Sequence, residues 1–151
     1  MHSLVRRYIK TAIGFLAVGL ALGVWMMVDR ELRGRYPDPY LLSAHTHAIF
    51  VGFVMMMILG VALWLFPRPD KTDTRYRPRL AEAAYWLVTL STAGRVVGEL
   101  VRMVIVADWL RFFVAAAGLV QASGIVLFFF TMWSRIRGLG STLREASGER
   151  F

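Results

Sequence analysis

Leu41-Leu42-Ser43-Ala44-His45-Thr46-His47-Ala48-Ile49-Phe50-Val51-Gly52-Phe53-Val54-Met55-Met56-Met57-Ile58-Leu59-Gly60-Val61-Ala62-Leu63-Trp64-Leu65-Phe66, closed by Pro67, is the stretch on which the fold turns. A helix needs roughly 20 mostly apolar residues to cross the hydrocarbon core of a bilayer. This run meets that length, and three others lie on either side of it. They cover about 8–28, 80–106 and 109–133, the third-placed span carrying charges. Across the chain, 57% of residues are hydrophobic and mean hydropathy is +0.53. Soluble domains of this size are nearer half apolar. The expected fold is therefore all-α, an integral membrane four-helix bundle. Residues 1–151 form a single membrane domain, with a flexible tail over 138–151 marked by Gly138, Gly140, Ser141 and Gly148.

The first span has Arg6 and Arg7 before it and Lys10 near its start, in the manner of a signal peptide. Its apolar run is long, and no small-x-small site ends it before Trp25-Met26-Met27, so a retained helix is expected. The basic residues set the orientation. Arg6, Arg7 and Lys10 flank the first span. Arg68, Lys71, Arg75, Arg77 and Arg79 follow the second, and Arg135, Arg137, Arg144 and Arg150 follow the fourth. The first loop balances Arg30, Arg33 and Arg35 against Asp29, Glu31 and Asp38. Both termini and the middle loop are thus expected on the cytoplasmic side of the cell inner (plasma) membrane. The net charge of +8 follows from that rule and from attraction to anionic lipid, so no nucleic-acid partner is needed. The absence of cysteine removes disulfides, thiolate metal sites and c-type haem attachment.

Ionisable residues within a membrane span are candidates for function. His45 and His47 stand two apart, about 200° around a regular helix, so their rings face opposite ways and do not readily share one metal. They read either as metal ligands, imidazole being a common ligand of haem iron and copper, or as interfacial polar residues. In the third span, Arg95, Glu99 and Arg102 share one face by their spacing. That face must point inward or towards another subunit. Either the three satisfy one another as a ladder, or an arginine is left for an anionic group. Met26, Met27, Met55, Met56, Met57, Met103 and Met132 are routine gap-fillers that also have the chemistry to ligate haem or Cu(I). Gln121 is expected to bond across helices. Gly19 and Gly23 form a G-x-x-x-G face for close helix approach. Asp38 with Pro39, or Ser43, caps the second span.

The run from Ala44 to Ala62, followed by Leu65-Phe66-Pro67-Arg68, resembles the haem-copper oxidase subunit I superfamily. The likeness is to its nitric-oxide-reductase-like branch and to small four-helix subunit-I-like proteins. His45 stands where that family carries a low-spin haem ligand, and Gly52-Phe53, Gly60 and Pro67 match the later pattern. The resemblance implies a haem b-binding membrane protein in electron transfer, or a subunit or accessory of a respiratory complex. In that reading Arg102, and less directly Arg95, pair with haem propionates, while Phe50, Phe53 and Trp25 wall the ring. A full subunit I needs further histidines for a second haem and for copper or non-haem iron. This chain is therefore not expected to be a complete oxidase or reductase by itself. A second axial ligand would come from a methionine, from His47 of a second protomer or from another subunit, which favours a homodimer or a larger complex. The rival readings are a copper-binding or copper-delivery protein using His45, His47 and nearby methionines, and a cofactor-free structural subunit.

Overall fold

A computed structural model of the chain describes residues 3–66, 78–136 and 147–148. These residues are all-helical apart from the connections. Helix α1 is Ser3–Arg33, and α2 is Pro39–Leu65, α-helical at both ends with a π-helical segment, Ala48–Met55, between them. Helix α3 is Pro78–Arg102, and α4 is Asp108–Met132, prolonged by one 3-10 turn, Trp133–Arg135. Three of the four, α1, α2 and α4, are long and apolar enough to cross a membrane by length and composition. Helix α3 has 25 residues and a length of about 37 Å, enough to cross as well, but its charged face sets it apart. The tail expected over 138–151 lies almost wholly outside the described residues.

Local chemistry accounts for the helix ends. Gly34 adopts φ +64°, a left-handed conformation that costs a glycine little, and its N–H returns to the Arg30 carbonyl at 3.1 Å. Of the two expected caps for α2, Asp38 is the one used: its carboxylate accepts from the Tyr40 N–H at 2.7 Å, with Pro39 opening the helix. Helix α2 ends where Phe66 turns extended ahead of Pro67, as the ring of a proline requires of its predecessor. Helix α3 stops at Arg102, four residues before the expected 106. Met103, Val104 and Ile105 fold into a turn on the carbonyls of Leu100 and Val101, and the β-branched run Val104-Ile105-Val106 gives the helix little reason to continue.

The core runs the length of the bundle in two parts. One part takes residues from all four helices: Val5 and Tyr8, Met56 and Leu59, Tyr85 and Val88, Phe128 and Met132. Tyr8 meets Tyr85 and Phe128 edge-on, with centroids 5.0 and 5.8 Å apart, and Thr11 bonds the Tyr85 hydroxyl at 2.8 Å. The smaller part joins Ala44 and Ala48 to Val96. Phe112, Leu119 and Val126 of α4 repeat every seven residues and are largely exposed, as a lipid-facing stripe is. Two buried polar links hold helices together. Gln121 donates to Thr92 at 2.8 Å, the cross-helix bond expected of it. Arg135, 4% exposed, donates to the carbonyls of Leu63 and Phe66 and so closes the otherwise unpaired end of α2. Met56 and Met132 are buried core fillers.

Candidate functional site: the two histidines and the charged face of α3

The π-helical segment begins one residue after His47 and divides α2 into two parts with different main neighbours. The first part packs mainly on α3 and also on α1; the π segment packs mainly on α1 and also on α3, and the second part packs on α1. A π segment adds a residue to the turn and so rotates the remainder of the helix, a feature often found beside functional sites. At the boundary, the two histidines look at different helices.

His45 turns to α1. Its Nδ1 lies 2.8 Å from the Gly19 carbonyl. A carbonyl only accepts, so Nδ1 carries the proton and Nε2 of the neutral ring keeps its lone pair. The ring rests against Gly23, where a Cβ would stand 2.9 Å from Cε1. The side chain of Ile49 occupies the space beside Gly19 in the same way. The Gly19-x-x-x-Gly23 face is thus filled by α2 of the same chain.

His47 turns to α3. Its Nδ1 is 2.8 Å from the Ser43 carbonyl and 3.4 Å from Oε2 of Glu99. Glu99 is 3% exposed, and its Oε1 receives the Ser43 hydroxyl at 2.8 Å and the Arg95 Nε at 3.1 Å. Arg95 reaches onward to Gly118 of α4, whose backbone it approaches closely enough to leave no room for a Cβ. Arg102 does not join a ladder with Glu99. It donates to the Tyr40 hydroxyl at 2.7 Å, with its guanidinium 4.2 Å from the Tyr40 ring centroid. The charged face points inward, at α2, which is one of the two directions its spacing allowed. Tyr40 is a member the sequence did not single out, and Ser43 was expected only as a possible cap. Both lie on the first turns of α2, at the spacing that brings them level with Glu99 and Arg102 of the antiparallel α3.

Of the aromatic residues expected near the site, Phe53 is partly buried against the core, whereas Phe50 and Trp25 are 64% and 63% exposed. Among the described residues no three histidine, aspartate or glutamate side chains gather as a metal-binding group. The His45 imidazole is oriented by a carbonyl and lodged in a cradle that only glycine leaves open, the kind of support that fixes a ring's tautomer.

The fold and this site define a helical membrane protein with an oriented histidine at the head of its second helix. The chain belongs to the family of cytochrome c and quinol oxidase polypeptide I, whose pattern it matches over residues 3–145, nearly its whole length. It is a haem-copper oxidase subunit I-like membrane protein. No curated protein and no solved structure matches it.

Proposed function

We propose that the chain binds a low-spin haem b and serves in electron transfer, as a subunit or accessory of a respiratory membrane complex. The observation that carries the reading is His45: Nδ1 tied to the Gly19 carbonyl, Nε2 left as the ligating nitrogen, and the ring seated at Gly23. The bound group would supply one-electron chemistry. The chain's part is to fix the imidazole and its tautomer, which raises the basicity of the ligating nitrogen. His47 is held by Ser43 and Glu99 away from that position. A second ligand to the bound group would come from a methionine or from a residue of another chain; in the second case the working unit would be a homodimer or a heteromeric complex. All four helices span, the termini face the cytoplasm, and the end carrying the 34–38 and 103–107 connections faces outward.

A visible spectrum of the purified protein tests the reading. A Soret band with sharp reduced α and β bands, lost in His45→Ala and kept in His47→Ala, is the expected result. A colourless protein from haem-replete cells would overturn it in favour of a cofactor-free structural subunit. Haem lost from His47→Ala and kept by His45→Ala would move the ligand to His47. Native mass spectrometry in mild detergent tests the assembly: a monomer holding one six-coordinate haem would defeat the shared ligand.

A further inference from the structure

Arg102 is the arginine of the α3 face without a carboxylate partner among the described residues; Arg95 has Glu99. Beside Arg102 lies a cavity of about 290 Å3, lined by Tyr40, Asp108, Arg111 and the 105–107 connection as well as by Arg102 itself. Arg111 reaches Asp108 only at 3.4 Å, and both side chains are largely exposed, so this pair neutralises the second guanidinium weakly. The cavity thus presents two arginines and a phenol, against the one carboxylate of Asp108, at the level where α3 ends and α4 begins. Two guanidiniums against one exposed carboxylate have the chemistry of a charge-assisted site for a phosphate diester.

A second hollow, of about 310 Å3, has Ile105 in common with it as a lining residue. Val97, Leu100, Val101 and Val104 complete its wall, and all are aliphatic. Helix α3 descends from Arg102 into the apolar layer, so this groove leads away from the charged cavity along the helix flank. Its helical part, Val97 to Val101, covers roughly 6 Å at the helical rise, and the turn at Val104 and Ile105 caps it, a length suited to the upper part of an acyl chain. A soluble anion has no use for the groove, and an annular lipid has no use for the paired arginines. One molecule uses both.

We propose that this end of the protein holds one anionic phospholipid, its phosphate between Arg102 and Arg111 and one acyl chain along the Val97–Ile105 groove. The site does not depend on haem. The lipid ties the α1–α2 side of the bundle, through Tyr40, to the α3–α4 turn, and fixes the guanidinium of Arg102 at the membrane surface.

The test is native mass spectrometry of the full chain, released from mixed micelles containing equal amounts of phosphatidylglycerol and phosphatidylcholine with the same acyl chains. The wild type should retain one phosphatidylglycerol per chain with about tenfold preference, the order expected for one charge-assisted contact pair. Arg111→Gln, at an exposed side chain that the fold does not need, should bring that preference close to parity. Arg102→Gln should do the same, and Val104→Trp should lower retention of both lipids by filling the groove. Equal retention of the two lipids by the wild type would overturn the proposal. So would displacement of the lipid by millimolar inorganic phosphate, or loss of haem from Arg102→Gln with lipid retention unchanged, which would give Arg102 to a propionate.

Discussion

The substitution Gly23→Ala separates positioning of His45 from stability of the fold. An added Cβ would stand 2.9 Å from Cε1, 3.4 Å from Nδ1 and 3.8 Å from Nε2 of the ring. Carbon contacts are comfortable at about 3.5–4.0 Å, so the ring must withdraw by roughly 0.6–1 Å. Its present bond to the Gly19 carbonyl is 2.8 Å long, and a withdrawal of that size carries it to the limit of hydrogen bonding. The stability terms nearly cancel. Loss of the bond costs about 0.5–1.5 kcal/mol, and alanine in place of glycine inside a helix gains about 0.5–1 kcal/mol. The melting temperature in detergent should therefore stay within a few degrees of wild type. Haem affinity should fall by about 10- to 100-fold, the usual consequence of losing the group that orients a ligating histidine. Titration of the apoprotein with haem, followed at the Soret band, reads this directly. Gly14→Ala is the control, since a Cβ there meets nothing within 4 Å. Wild-type affinity and spectrum in Gly23→Ala would refute the assignment of His45 as an oriented ligand.

Glu99→Gln keeps the Ser43 contact but strips charge from the Arg95 and His47 partners. Breaking a fully buried pair costs about 3–5 kcal/mol; Arg95 is a quarter exposed, so about 2–3 kcal/mol is expected in unfolding from detergent, and an unchanged midpoint would show that the cluster adds no stability. Arg135→Leu strands the carbonyls of Leu63 and Phe66, at a cost of about 1–3 kcal/mol, which faster hydrogen exchange at the end of α2 should accompany. Gln121→Leu removes a bond between membrane helices and should cost only about 0.6 kcal/mol; a loss well above ~1.7 kcal/mol would mean that the amide has a further role. A reporter fused after Phe151 should read cytoplasmic and one inserted at Asp38 external, and the reverse pattern would place the histidines in the inner leaflet.

The number, order and approximate ends of the helices were legible because lipid imposes a length and a composition that few residues suffice to show. That the charged face of α3 avoids lipid was legible for the same reason, since Arg95, Glu99 and Arg102 share a side; the choice between inward and towards another subunit was not, and it is the contacts with Ser43, His47 and Tyr40 that turn the face towards α2. The opposite orientation of His45 and His47 follows from a rotation of about 200° over two residues. The end of α3 was misplaced because Val104, Ile105 and Val106 are as apolar as any helical residue, and hydropathy does not distinguish a turn at a helix end from another helical turn. The G-x-x-x-G of α1 was read correctly as a surface of close approach, while its occupant was not specified: α2 fills it, with His45 and Ile49.

The sequence by itself thus determined which segments are helical and, for three of them, apolar enough to span, because that depends on the cost of placing polar groups in hydrocarbon. Tertiary structure alone decided who meets whom. Spacing within α3 allows Glu99 to reach either arginine, yet Ser43 and His47 arrive from α2 on one side of it and Tyr40 draws Arg102 away. Along the π-helical segment, invisible in any periodicity of so apolar a run, the main neighbour of α2 changes from α3 to α1. A long side chain's partner is settled by whichever group an adjacent helix brings within about 3 Å, and that register is a property of the packed bundle rather than of any one segment.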